Sequence, residues 1–437
     1  MLLKRLDNMD KLIEFDNGLR LCLKKDISVY SVNVLFSVEC GAFYPKTQKV
    51  GVAHMLEHNI LSDSDDKELS LNEELGKIGT LVEAYTYDFN TVYSIRTFNE
   101  YLPLCINLLY NKIFNAKFDR LFFEKEKSVI YKEYLKQRNN VMPANAFIAS
   151  EKFYSGTIIE NSGYGIGTKK QIDNITFDDM VDFYNNYYTK SRTTMVIAGN
   201  FQEEQVLTTV NKLIEKENEK TKHISFIEQD IAFYNENQIK VIGNNEKLGS
   251  TCVEIVFSAC NELYEKKWIY ECLALMLSGL STSSLLKNKL RNQLGYIYNC
   301  DASLDSSICY KICGTLNIRY YVDNRYVENS IIECFKIIKQ LRTEVNKNLL
   351  AYAKISLINN LKIKLENIEK VCSFNAQNLM LFGSLFDIKK EIATISKISE
   401  QDIQKCIEHM VSHMKVISIM GKKVNEKKLQ GKLSSIF

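Results

Sequence analysis

Thr194-Met-Val-Ile-Ala-Gly199 and Val416-Ile-Ser-Ile-Met-Gly421 are one short apolar segment closed by a glycine, written twice at a spacing of 222 residues. Either copy alone is an ordinary signal for a buried strand. Three more pairs keep the same order. Val34-Leu-Phe-Ser37 returns as Ile255-Val-Phe-Ser258, and Leu71-Asn-Glu-Glu-Leu-Gly-Lys-Ile78 as Leu290-Arg-Asn-Gln-Leu-Gly-Tyr-Ile297. Ile175-Thr-Phe-Asp-Asp-Met180 returns as Ile398-Ser-Glu-Gln-Asp-Ile403. Four pairs at offsets of 219 to 223, in a chain of 437 residues, describe a domain duplicated once.

Each copy has the same pattern. In the first, a hairpin over 11–24 turns at Asp16-Asn17-Gly18, a favoured two-strand turn, and a third strand covers 29–40. Helices follow over 51–60 and 70–78, then strands over 82–87 and 92–97. Longer helices are expected over 102–115, 118–139 and 178–187, the last capped by Thr176. A strand over 193–198 closes the copy. Strands bracketing a block of helices predict an α+β fold of two tandem sandwich domains enclosing a cleft. The polar run Glu215-Lys-Glu-Asn-Glu-Lys-Thr-Lys222 suits a solvated connector, so the domains are expected at 1–222 and 223–437.

Composition narrows the function. The 56 basic and 53 acidic residues leave a net charge of +3, too little for nucleic acid or an anionic membrane as main partner. No apolar run reaches the length of a spanning helix, and Met1-Leu-Leu-Lys-Arg-Leu-Asp7 reads as neither signal nor transit peptide. Twelve cysteines without a CxxC pair read as reduced, buried thiols of a cytoplasmic protein.

The chain has five histidines, and two fall in Ala53-His-Met-Leu-Glu-His-Asn59. On a helix, His54 and His58 share one face a turn apart, and Glu57 projects close to both. Val52, Leu56 and Ile60 form the adjoining apolar stripe. Two neutral imidazoles and a proton-accepting carboxylate are the requirements of a hydrolytic zinc site. Such a site takes a third protein ligand, and the helix Phe122-Phe-Glu-Lys-Glu-Lys-Ser-Val-Ile-Tyr-Lys-Glu133 offers Glu126 and Glu133. These lie about 10.5 Å apart along the axis, so only one can reach a given ion and the other must act behind it.

His54-x-x-Glu57-His58, followed about 75 residues later by Glu133, resembles the pitrilysin/insulinase family of inverted zincins, whose smaller members include the mitochondrial processing peptidases. The resemblance implies tandem homologous halves and one Zn²⁺ per chain. It makes His54, His58 and Glu133 the ligands, Glu57 the general base and Glu126 the second functional glutamate. It also implies an endopeptidase acting on short or unfolded peptides, including one that matures a ribosomally made peptide. The alternative is a non-catalytic subunit of a heterodimeric peptidase.

Shifting the histidine motif by one repeat lands on Leu273-Ala-Leu-Met-Leu-Ser-Gly279, where Ala274, Leu277 and Ser278 replace the donors. The second half cannot hold that metal. Its segment Leu290-Arg-Asn-Gln-Leu-Gly-Tyr-Ile-Tyr298 is similar to the family's Arg-x-x-x-Gly-x-x-Tyr. By that resemblance Arg291 holds substrate backbone or carboxylate groups and Tyr298, rather than Tyr296, donates to the oxyanion. One departure stands out: Glu83-Ala84-Tyr85-Thr86 replaces the family's Asn-Ala-x-Thr on the strand that pairs with substrate in relatives, which puts a carboxylate near the metal. His409-Met-Val-Ser-His413 has metal-binding spacing but no intervening Glu and no third ligand, and His223 falls in the connector, where exposure is expected. With donors and the Arg/Tyr pair in one chain, the expected assembly is a monomer or homodimer, or a heterodimer with a related subunit.

Overall fold

The computed structural model describes residues 10–43, 49–61, 71–156, 165–215, 221–223, 237–259, 263–305 and 314–437. The first half of the chain runs β1 (Lys11–Glu14), β2 (Arg20–Lys25), β3 (Ser31–Val38), α1 (Val52–Ile60), α2 (Leu71–Lys77), β4 (Val82–Thr86) and β5 (Thr91–Phe98). It continues through α3 (Leu102–Phe114), α4 (Arg120–Asn139), α5 (Val141–Phe153), α6 (Lys169–Asn174), α7 (Phe177–Tyr187), β6 (Thr193–Gly199) and α8 (Glu203–Ile214). The second half runs β7 (Ile239–Asn245), β8 (Thr251–Ser258), α9 (Leu263–Ala274), β9 (Ile297–Asp305), β10 (Thr315–Val322), α10 (Val327–Leu341) and α11 (Lys347–Lys364). It ends with α12 (Ile368–Phe382), α13 (Ile388–Lys397), α14 (Glu400–Ser412), β11 (Lys415–Gly421) and α15 (Glu426–Ser434).

The duplication is written in the sheets. The first has the order β1-β2-β6-β3-β5-β4 and the second β7-β11-β8-β10-β9. Apart from β1, which has no counterpart among the described residues of the second half, strands correspond one to one. β2 runs parallel to β6 as β7 does to β11, and the remaining neighbours are antiparallel in both. Mixed sheets with helices make the fold α+β. The glycine that closes each repeated segment has a steric cause. Gly199 (φ +120°) and Gly421 (φ +136°) adopt backbone that other residues rarely reach, and a Cβ on Gly199 would lie 2.3 Å from the Ser31 carbonyl oxygen.

Two compact units result, and they are not contiguous blocks. One comprises Met1–Tyr134, Ser162–Ile227 and Ile363–Phe386; the other comprises Leu135–Asn161, Glu228–Lys362 and Asp387–Phe437. The central changeover falls after Ile227, close to the 222/223 boundary expected from the sequence, but two helical segments are exchanged. The physical reason is that the central strands of both sheets are buried on both faces. On β3, Val32, Val34, Phe36 and Val38 join the main helical core, while Leu35 faces the other way. There α12 covers it with Val371, Cys372, Ala376 and Leu379. In the second unit α5 packs on β8 and β11, and its buried Asn145 donates to the carbonyls of Cys252 and Ser418 at 3.1 and 3.2 Å.

Two sequence expectations need correction. α5, α6 and α8 were not foreseen, and the His223 side chain is buried rather than exposed. Its Nδ1 faces the Gly18 carbonyl at 3.0 Å and its Nε2 faces Glu39 Oε1 at 3.2 Å, and Glu39 in turn accepts from Arg20 at 2.7 Å. A short stretch of the connector is thereby folded into the first unit. Among the described cysteines, nine are free and buried, with burial pushing Cys22 and Cys372 up to about 12; Cys260, Cys309 and Cys313 lie outside the described residues. No helix among the described residues is long and apolar enough to cross a membrane.

Candidate metal centre

α1 begins abruptly at Gly51, whose φ of +88° and 2.7 Å approach to the Ile166 carbonyl, measured from an added Cβ, exclude a side chain. From there Val52, Met55, Leu56 and Ile60 are buried in the first unit's core, which fixes the helix's rotation. His54 and His58 then project from one face, their rings edge to face with centroids 4.7 Å apart. Burial, helped by the neighbouring His58, holds the pKa of His54 down to about 3, so its imidazole is neutral and keeps a lone pair for a metal.

α4 supplies both glutamates. Glu126 Oε2 lies 2.9 Å from Nδ1 of His58, while Glu133 Oε2 lies 3.7 Å from Nε2 of His54 and 3.8 Å from Nε2 of His58. With its Nδ1–H donated to Glu126, a neutral His58 presents a bare Nε2 toward Glu133. Donor atoms of a tetrahedral zinc, about 2.0–2.2 Å from the ion, sit roughly 3.4 Å from one another, so the two sides of the triangle that meet at Glu133 need only a few tenths of an ångström of contraction. Among the described residues, His54, His58 and Glu133 form the group of metal-ligand type, with donor atoms within 4.8 Å of one another. The Glu133 side chain is 42% exposed against 15–17% for the histidines, so the cluster opens to solvent on that side. His54 Nδ1 is buried without a hydrogen-bond partner, so His54 lacks the carboxylate support that His58 has.

Glu57 faces β4. It is buried, and Thr86 Oγ1 donates to its Oε2 at 2.5 Å. Burial raises its pKa, and the Thr86 hydrogen bond partly opposes the rise. A carboxylate with a lifted proton affinity beside two imidazoles has the character of a general base. Thr86 was visible in the sequence only as the last residue of Glu83–Thr86. The missing signal was the strand's alternation, which turns Thr86 to the same side as the buried core.

In the second unit, Ala274, Leu277 and Ser278 occupy α9 and the π-helical turn Leu275–Gly279 after it. Ser278 Oγ accepts from the backbone of Ala302 on β9, in place of any metal donor. Arg291 lies on a second π-helical turn, Lys287–Gln293, and its guanidinium stacks 4.9 Å over the ring of Tyr298, which is 81% exposed. Tyr296 instead stacks on Tyr326 at 4.4 Å, within the unit's own packing. His409 and His413 stack ring on ring at 3.9 Å, His413 Nδ1 bonds the His409 carbonyl, and Glu408 is held by Arg342.

Residues 20–158 match the family model for insulinase (peptidase family M16), and residues 174–357 match the model described as the peptidase M16 inactive domain. The chain belongs to the pitrilysin/insulinase family, M16. This M16 chain is 23% identical over 416 residues to an uncharacterized zinc protease of Rickettsia felis, covering 93% of this chain and 96% of the relative. It is 21% identical over 407 residues to the mitochondrial-processing peptidase subunit beta of Dictyostelium discoideum, covering 90% and 85%. Among solved structures, a protease from Helicobacter pylori superposes with a TM-score of 0.81 at 16% identity, covering 95% of this chain and 99% of that one. The M16 segment described as inactive includes the stretch where this chain has Ala274, Leu277 and Ser278.

Proposed function

We propose that this chain is a zinc-dependent endopeptidase acting on short or unfolded peptides, with His54, His58 and Glu133 as ligands of one Zn²⁺. The observation that carries the reading is the convergence of two imidazole Nε2 atoms on one Glu133 oxygen, with Glu57 held alongside by Thr86. A bound zinc would supply Lewis acidity, bringing the pKa of a water in its open position toward about 7 and polarising a substrate carbonyl. Glu57 takes a proton from the attacking water and passes it to the leaving amine. Glu126 keeps His58 in the tautomer whose Nε2 can ligate. Arg291 and Tyr298 belong to the other unit, and the roles proposed for them rest on the family resemblance: substrate carboxylate or backbone binding, and donation to the oxyanion.

The test is metal analysis of the purified chain with a mass-spectrometric digest of a peptide library. One zinc per chain, cleavage abolished by a chelator and restored by zinc, and an inert Glu57→Gln variant that keeps its metal are the expected results. Cleavage untouched by metal stripping ends the reading. The second reading, a non-catalytic subunit, draws on the similarity to a processing-peptidase subunit. It predicts that Glu57→Gln leaves the biological phenotype unaltered. A role in maturing a ribosomally made peptide within the cytoplasm is part of the same proposal.

A further inference from the structure

Glu133 stands where the first unit's hold on α4 ends. That helix has two buried residues, Phe123 and Ile130, both in the first unit's core, and Tyr134 packs on the same core in part. Tyr134 is also the last residue of that segment to belong to the first unit, and Leu135 onward goes with the second. After a joint of one residue, Asn140, the chain turns into α5, where Ala144, Asn145, Phe147, Ala149 and Phe153 are buried. Asn145 ties α5 to the carbonyls of two strands of the second sheet. The joint itself is braced. Asn140 Nδ2 donates to the Lys136 carbonyl at 2.9 Å, and the Asn140 carbonyl accepts from the Ala144 N–H at 2.9 Å. The Arg138 guanidinium lies 4.2 Å over the Phe147 ring, joining the last turn of α4 to α5.

The two glutamates of α4 therefore differ in what fixes them. Glu126 lies between the anchors Phe123 and Ile130, whereas Glu133 lies between Ile130 and the joint. Along the helix axis, Asn140 is about 15 Å from Ile130 and Glu133 about 4.5 Å from it. A bend beyond Ile130 that shifts the joint by about 1 Å moves Glu133 by about 0.3 Å and leaves Glu126 in place. A few tenths of an ångström is also what separates Glu133 Oε2, at 3.7 and 3.8 Å from the two Nε2 atoms, from ligand spacing. We infer that α5 is a positioning element for Glu133. Its anchorage by Asn145, passed on through the Arg138–Phe147 contact, sets whether the third carboxylate reaches a metal held by His54 and His58. Zinc affinity in the first unit is thereby coupled to the packing of α5 in the second, and the coupling runs both ways. The inference rests on the reading of Glu133 as a ligand.

The experiment measures the zinc affinity of the full chain against a competing chelator, in the parent and in Asn145→Ala, Arg138→Ala and Arg138→Lys. Each alanine variant should lose about tenfold in affinity, and Arg138→Lys, which keeps a cation over Phe147, should recover most of the loss. The same changes are then placed in two backgrounds. In Glu126→Gln they should lower affinity by the same factor again. In Glu133→Gln, titrated at higher free zinc, they should change nothing, because the ligand they act through is gone. The visible spectrum of the cobalt-loaded chain is a second readout, and Asn145→Ala should shift it toward that of Glu133→Gln. In the reverse direction, zinc should slow amide exchange along α5 in the parent but not in Glu133→Gln. An equal loss of affinity in the Glu133→Gln background would mean that the variants only loosen the fold, and it overturns the inference. Full affinity in the alanine variants beside a loss in Glu133→Gln also overturns it, and leaves the metal reading standing. If Glu133→Gln binds zinc as the parent does, the metal reading fails and takes the inference with it. Arg138 is only half-buried, so its variants keep the test open should Asn145→Ala not fold.

Discussion

Thr86 Oγ1 donates to Glu57 Oε2 at 2.5 Å, so an edge strand fixes the direction of the carboxylate next to the histidine pair. Removing only the hydroxyl tests what that contact is for. Thr86→Val keeps the side chain's shape and leaves Glu57 free to rotate. kcat should fall about 10- to 100-fold while KM and zinc content hold. Thr86→Ser, which retains the donor, should recover most of the rate. An equal loss in both variants would assign the effect to packing of β4.

Glu126 touches His58 and, seven residues before Glu133 on the same helix, stands behind the proposed ligands. Glu126→Gln removes the charge that fixes the His58 tautomer but leaves all three donors. Zinc affinity measured against a competing chelator should drop about 10- to 100-fold. Glu133→Gln removes a ligand and should bring stoichiometry well below one. If the two variants bind zinc equally, Glu133 is not a ligand.

The sheets were legible because their strands are short apolar runs, and the duplication wrote the runs twice: β3 with β8, and β6 with β11. The pair His54/His58 was legible because helical spacing alone brings the rings together. Partners set by long-range packing were not. His223 looked like a connector residue because its acceptor, Glu39, lies 184 positions earlier. α5 reads VMPANAFIASEKF, with no clean polar face and a proline in its first turn, so periodicity gave little sign of a helix. Nothing in the local sequence of α5 or α12 says which sheet each covers.

The Asn145 contact that holds α5 to the second sheet is open to measurement. Its side chain is fully buried, donates to two strand carbonyls, and accepts from Ser418 Oγ at 2.7 Å. Asn145→Ala leaves a buried hydroxyl unpaired and should cost about 1–3 kcal/mol in a denaturant titration. Ser418→Ala should cost about 1 kcal/mol. The double variant should cost less than their sum, because the second change removes the hydroxyl that the first had stranded. Strict additivity would show that the two side chains do not act through each other.

Lys415 supplies a pH-dependent prediction away from the candidate centre. Its side chain is fully buried at the start of β11, where Nζ donates to the Val411 carbonyl at 2.5 Å and to Asn237 Oδ1 at 2.8 Å. Burial lowers its pKa from 10.5 to about 8. Below about pH 8 the lysine is charged in folded and unfolded chains alike, and the native state bears the whole cost of the buried charge, about 3 kcal/mol. Between about 8 and 10.5 the unfolded chain binds a proton that the native chain has released, so stability rises with pH across that window. Lys415→Met has no such charge to bury but forgoes the two hydrogen bonds. It should therefore be about 1–3 kcal/mol more stable than the parent at pH 7, with the gap narrowing toward pH 10.5. Denaturant midpoints of the two proteins at pH 7, 8, 9 and 10 measure it. A gap that stays constant over that range would mean that Lys415 keeps its ordinary affinity for the proton despite its burial.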